Sequence, residues 1–215
     1  PQSLISFRAM SFSQKENFDM HPDFLGARLL QAWKFRQRGG FRMSFRICYS
    51  EADQMPGLIL DRYVFEKDNR QYQVFSYQLL SSGMDVAFKK DQSLQTILKA
   101  LAEAALKEKL SDIGWENTLV LQRNDVNIRK LEGLQVEEPA LLKTCGAEDL
   151  TSVAIQVQNV LKPDEPVLFN VNLIEGHKTG FFLDQSFNIR LVLQQLEKRR
   201  EELRGQKVLI LDLCC

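Results

Sequence analysis

Apolar residues fall at helical spacing between Phe24 and Arg36. Phe24, Leu25, Leu29, Ala32 and Trp33 line one side, and Gly39-Gly40 supply a stop. A second stripe, Leu94, Ile97, Leu98, Leu101, Ala105 and Leu110, predicts a helix over Gln92–Leu110 with lysines and glutamates opposite. A third helix is predicted from Gln185 to Leu203, with Ile189, Val192, Leu193 and Leu196 as its buried side, Asp184 as its cap and Gly205 as its stop. Elsewhere the pattern shortens to strands: Ser44–Tyr49, Leu58–Tyr63, Gln71–Tyr77 and Thr118–Gln122, with turns at Pro56-Gly57 and Asp68-Asn69. Ser152–Val157 and Val167–Leu173 read as a hairpin with one exposed face. Leu4–Asp19 alternates as a strand pair would. Val208–Leu213 is a continuous apolar run with Asp212 near its end, as in a central parallel strand covered on both faces.

Composition changes this picture little. The chain has 215 residues, of which 44% are hydrophobic and 26% charged, the profile of a globular protein of one or two domains. No apolar run reaches the roughly 20 residues of a membrane span. The opening PQSLISFRAM has neither an initiator Met nor the layout of a signal peptide, and reads as a chain that starts mid-protein. Lysine plus arginine equals aspartate plus glutamate, 28 each, so no basic excess marks a nucleic-acid partner. Cys48, Cys145, Cys214 and Cys215 form no C-x-x-C pair, and His21 and His177 lie far apart. No metal ligand set is apparent, and the thiols read as reduced, in a cytoplasmic protein.

Candidate chemistry concentrates in two stretches. Glu175–Gln185 runs from a strand into a helix start. Gly176 and Gly180 permit tight backbone there, Thr179 and Gln185 offer hydrogen bonds, and Phe181 and Phe182 offer flat apolar surface to a purine. Val208–Cys215 is a strand whose carboxyl end carries Asp212, the position outside which ligands bind in open α/β sheets. Each residue has an ordinary reading beside the functional one. The two phenylalanines serve as core packing, Gln185 as a helix cap, Lys178 and Lys89-Lys90 as solvated charges, and His177 as an exposed loop residue. Asp61, Arg62, Asp125, Arg129 and Glu132 serve as structural ion pairs and turns rather than RNA contacts.

Lys178-Thr-Gly-Phe-Phe-Leu-Asp-Gln185, followed by Val208-Leu-Ile-Leu-Asp-Leu-Cys-Cys215, resembles the class I S-adenosylmethionine-dependent methyltransferase family that makes 5-methylcytosine in 23S ribosomal RNA. Glu51–Tyr63 and Arg123–Leu134 resemble earlier segments of that family in the same order. The resemblance implies a remnant of an N-terminal PUA domain and linker helix (1–43), a central α+β domain (44–165) and the start of an α/β Rossmann-like methyltransferase domain (166–215). It implies S-adenosylmethionine as cofactor, with Thr179, Phe181, Gln185, Arg190 and Asp212 near it, and 23S rRNA as partner. His177 stands where the family usually has Gln, and Ser186 where it has Arg. The glycine loop, the Asp-Pro-Pro-type motif and the cysteine nucleophile would lie beyond residue 215, so the 215 residues alone are expected to be inactive and to bind the cofactor weakly or not at all.

Two other functions compete. A non-catalytic RNA-binding or ribosome-assembly module would bind RNA without the cofactor. A nicotinamide-dependent oxidoreductase would need G-x-G-x-x-G directly after the last strand, and the Lys178–Gln185 motif argues against it.

Overall fold

The computed structural model describes residues 8–11, 22–89, 93–159, 161–162 and 165–207. Helix α1 (Pro22–Arg38) buries Leu25, Leu29, Ala32 and Trp33, and carries Asp23 in its first turn and Arg36 and Arg38 in its last, both signs matching the helix dipole. Gly40, at φ 87°, turns the chain out of α1 into strand β1 (Phe45–Tyr49), and a 3-10 turn at Ser50–Asp53 leads on to β2 (Leu58–Lys67). Asp68 and Asn69, at φ 52° and 57°, close a two-residue hairpin to β3 (Arg70–Leu79). Positive φ at both central residues gives the turn whose twist matches the strands it joins.

From β3 the chain crosses through α2 (Ser82–Lys89) and α3 (Ser93–Lys107) to β4 (Thr118–Gln122), which pairs parallel with β3; such a pairing needs a long crossover. Strands β5 (Ala140–Lys143), β6 (Val153–Val157) and β7 (Val167–Val171) follow, and α4 (Ser186–Lys198) comes last. The seven strands of the described residues form one mixed sheet of order β5-β4-β3-β2-β6-β7, with β1 also paired to β2. β1 and β6 share one edge of β2. Ser44 joins them there: its amide donates to the Gln156 carbonyl at 2.9 Å and its hydroxyl accepts from the Val64 amide at 2.8 Å.

The period of two splits the sheet residues between two cores. Leu58, Leu60, Phe75, Tyr77 and Val120 pack under the three helices α1, α2 and α3, where the Trp33 ring meets Phe45 and Phe75 edge-on at 5.7 and 6.1 Å. Tyr63, Phe65, Tyr72, Val74, Leu119 and Leu121 face the other way, under Ala147, Leu150, Leu173 and Leu183. Burying each such side chain contributes roughly 1.5–3 kcal/mol. Arg62 is buried on the helix side, donating to Gln73 at 2.7 Å, Ser111 at 2.8 Å and the Arg42 carbonyl at 2.8 Å, with Trp33 under its guanidinium at 5.0 Å. Burial pulls its pKa down to about 9, which leaves it charged at neutral pH.

Several expectations change. The helix Ser82–Lys89 and the strand Ala140–Lys143 are too short for their periodicity to stand out. The second predicted helix ends at Lys107 rather than Leu110, where Lys109 turns left-handed at φ 57°. The last helix ends at Lys198, not Leu203, and Gly205 lies in the turns beyond it. Among the described residues nothing covers its predicted buried side: α4 has no buried residue, with Ile189 and Val192 55% and 59% exposed. Asp184 does not cap that helix, because its carboxylate pairs with Lys178. The predicted hairpin forms as β6 and β7, so the sheet runs on past residue 165. The strand pair expected at Leu4–Asp19 lies outside the described residues except for Arg8–Ser11, and the run Val208–Leu213 lies outside them entirely. Among the described residues no helix is long and apolar enough to cross a membrane.

Candidate functional site

After β7 the chain folds into a tight series of turns. The Asn172 side chain accepts from the amides of Ile174 and Glu175 at 3.0 and 2.9 Å, and its carbonyl takes the Gly176 amide at 2.9 Å. A Cβ on Gly176 would lie 2.2 Å from the carbonyl oxygens of both Asn172 and Gly180, so only glycine fits. Gly180 sits at φ 135°, where a Cβ would meet Leu173 at 2.6 Å. The two glycines thus let Glu175–Gln185 double back against the sheet.

The sheet receives this segment with polar groups. Asp61 on β2 is fully buried and holds Arg46 in a two-pronged pair at 2.8 and 2.9 Å. The Thr179 hydroxyl donates to the same carboxylate. A hydroxyl has one proton, so the 2.8 Å bond between Thr179 and Tyr63 is donated by Tyr63, whose oxygen in turn accepts the Phe181 amide at 3.0 Å. The result is a continuous chain from the Phe181 amide through Tyr63 and Thr179 to Asp61, each bond polarising the next. Burial, and then the charge of Asp61, push the Tyr63 phenol far above its ordinary pKa, so it stays a neutral donor. Burial works against the Arg46 charge, but its bond to Asp61 outweighs that and raises its pKa.

Neighbouring strands complete the hold. Ser76 donates to the Thr179 carbonyl at 2.7 Å, and Gln78 to the Lys178 carbonyl at 3.0 Å. Arg123, just past β4, donates to the carbonyls of Leu173 and Gly176 at 2.6 and 2.7 Å while pairing with Asp125 at 3.0 Å. These side chains serve the backbone of one loop, and periodicity alone carries no sign of that; the polar residues at sheet-facing positions of β2 and β3, Asp61, Ser76 and Gln78, are the signal that was available.

The candidate residues are distributed as follows. Thr179 is fully buried and its hydroxyl is committed within the network, so its side chain faces the sheet. Phe181 is half-buried, tilted against Phe169 with ring centroids 5.1 Å apart. Phe182 turns outward, 44% exposed, with the Lys178 ammonium 4.9 Å and the His177 ring 5.7 Å from its ring centre. Lys178 is paired with Asp184 rather than merely solvated, and His177 is exposed. Gln185 is exposed at the start of α4, where its side chain accepts from Asn188 at 3.0 Å instead of capping the helix. Arg190 reaches back to the Gly39 carbonyl. Asp212 lies outside the described residues. Glu132 pairs with Arg8 at 2.8 Å, Arg129 with Asp85 at 3.0 Å, and Lys89 with Asp85 at 3.2 Å, all structural contacts. Among the described residues no group of three or more His, Cys, Asp or Glu is placed to hold a metal ion.

Comparison with known proteins gives a consistent set of relatives. The chain is 32% identical over 189 residues to a protein of Aliivibrio fischeri named ribosomal RNA large subunit methyltransferase I, covering 86% of the chain and 38% of the relative. It is 32% identical over 202 residues to the protein of the same name from Pseudoalteromonas translucida, covering 92% and 41%. With that of Photobacterium profundum it shares 31% over 204 residues, covering 93% and 42%. The chain spans about two fifths of the length of these curated relatives. No family model matches it.

Proposed function

We propose that this chain is part of an S-adenosylmethionine-dependent methyltransferase acting on large-subunit ribosomal RNA in the cytoplasm, forming 5-methylcytosine in 23S rRNA. The likeness to the ribosomal RNA methyltransferases over most of the chain supports the class of reaction and substrate. The observation that carries the role of these residues is the anchoring of Glu175–Gln185 by Asp61, Tyr63, Ser76, Gln78 and Arg123. A loop held by two strands and by Arg123 just past a third presents its outer side chains in a fixed geometry, which a ligand wall requires.

The residues present fit the adenosine end of the cofactor. Phe182 offers an exposed flat ring and Gln185 an exposed amide, suited to a purine and its polar edge. Thr179 and Phe181 contribute by holding the loop: the first through its hydroxyl, the second through its amide and its packing on Phe169. Arg190 belongs at the margin of the wall, and Asp212 near the methionine end. When bound, S-adenosylmethionine supplies an electrophilic methyl group. The PUA remnant within 1–43 and the Rossmann-like opening within 166–215 belong to the same proposal.

The test is transfer of labelled methyl from S-adenosylmethionine to large-subunit rRNA by the purified protein that carries these residues, with nucleoside mass spectrometry of the product. Labelled 5-methylcytidine supports the proposal. A different methylated nucleoside would correct the target, and RNA binding with no transfer would favour a non-catalytic RNA-binding or assembly module.

A further inference from the structure

The overall charge is balanced, yet Phe35-Arg-Gln-Arg-Gly-Gly-Phe-Arg-Met-Ser-Phe-Arg46 interleaves arginine with phenylalanine from the end of α1 to the start of β1. In the fold this segment faces the turn that opens α4. A cleft of about 710 Å³ lies between them, with Phe35, Arg38, Tyr49 and Phe187 on its walls. A second cleft of about 410 Å³, with Arg42, Asn159 and Arg190 on its walls, adjoins it across Phe41, which lines both.

The charges along this groove are of two kinds. Arg36 and Arg46 are held by the carboxylates of Asp53 and Asp61. Arg38, Arg42 and Arg190 have no carboxylate partner among the described residues. Arg42 donates to the Gln37 carbonyl at 2.9 Å, and Arg190 to the Gly39 carbonyl. Carbonyls leave the guanidinium charge uncancelled, so three positive charges stand along one groove. Beside them, Phe35, Tyr49 and Phe187 are 66%, 53% and 54% exposed. Exposed rings in one cleft, with unpaired arginines there and in the cleft adjoining it, suit a polymer that is anionic along its backbone and carries flat faces at each unit. A duplex hides those faces in its own stack; a single strand offers them.

We propose that this groove binds single-stranded RNA, with bases stacking on Phe35, Tyr49 and Phe187 and phosphates held by Arg38, Arg42 and Arg190. The identification of RNA rests on the function proposed above; the single-stranded form and the location rest on the groove. Leu183 and Asp184 line the same cleft, so the turn that follows Phe182 joins the RNA groove to the proposed cofactor wall.

The test is fluorescence anisotropy of the purified protein with a short labelled RNA, alone and annealed to its complement. The expected result is tighter binding of the single strand, with a log–log salt slope of about −2 for three phosphates. Arg38→Glu with Arg42→Glu should weaken binding roughly tenfold or more and flatten that slope, while Arg38→Lys retains it. Phe35→Ala with Tyr49→Ala should weaken binding roughly tenfold at unchanged slope. Lys99→Glu on α3, outside both clefts, should change nothing. All these positions are exposed, and circular dichroism checks that each variant is folded. Equal affinity for duplex, full affinity in the Arg38/Arg42 double variant, no binding by the parent, or displacement of the RNA by S-adenosylmethionine would each overturn the proposal. Methyl transfer is assayed on the same samples. Transfer that survives the groove variants leaves the enzyme reading standing and removes this one; groove-dependent RNA binding without transfer does the reverse.

Discussion

The Thr179 hydroxyl donates a hydrogen bond to Asp61, 118 positions earlier in the chain, and through that bond the segment proposed to face the cofactor is fastened to the middle of the sheet. Asp61 also neutralises Arg46, which is 10% exposed, so one carboxylate serves both a buried charge and a loop. Asp61→Ala should therefore destabilise the fold by about 3 kcal/mol, because it strips a partly buried guanidinium of its two-pronged partner and leaves it only Asp184 at 3.8 Å. Thr179→Val should cost about 1–3 kcal/mol. Denaturant unfolding of the two single variants and the double variant measures this, and strict additivity would show that the two residues do not act together.

Gly176→Ala and Gly180→Ala should each cost more than about 1 kcal/mol, because one Cβ meets two carbonyl oxygens and the other sits at a left-handed φ against Leu173. Hydrogen exchange of the amides between Gly176 and Leu183 should accelerate in both variants before that of β2 and β3. Unchanged protection there would mean that the loop does not depend on these close approaches.

Acid should weaken a second polar cluster. Burial works against the Glu137 charge, but bonds from Lys89 and Asn124 outweigh it and hold the carboxyl below its ordinary value of 4.5. A carboxyl depressed in the folded state contributes stability that is complete above its unfolded pKa and is lost as pH falls through the folded value. The stability gap between the parent and Glu137→Gln should thus be constant near neutrality and close below pH 4.5. Urea midpoints across an acid series would show it, and a gap that does not vary with pH would contradict the assignment.

The exposed side of α4 makes a contrasting case. Val192→Lys should shift stability by no more than about 0.5 kcal/mol, since the side chain is 59% exposed. Leu29→Ala, on the fully buried side of α1, should cost about 2–5 kcal/mol. Thermal melts separate the two, and a large loss in Val192→Lys would mean that this face is covered in solution.

Much of the architecture was legible in the amino-acid pattern. The stripe Leu25, Leu29, Ala32, Trp33 gave α1, Asp68-Asn69 gave the hairpin, and the runs 118–122 and 153–157 emerged as strands because alternation and turn chemistry are properties of near neighbours. The same local signal placed two glycines in the Lys178–Gln185 neighbourhood and marked it as a candidate site. Local pattern overreached at α4, where an amphipathic stripe predicted a buried face that the described residues do not cover.

What each polar side chain does was decided by the tertiary structure alone. Thr179 is the stronger candidate in sequence, yet it points into the sheet, whereas Phe182 turns away from it. The parallel pairing of β3 with β4 and the shared edge of β2 place Asp61, Ser76, Gln78 and Arg123 around one loop. Periodicity reports which side of an element is apolar, whereas the partner of a buried hydroxyl or carboxylate is set by whichever distant strand the topology brings opposite it.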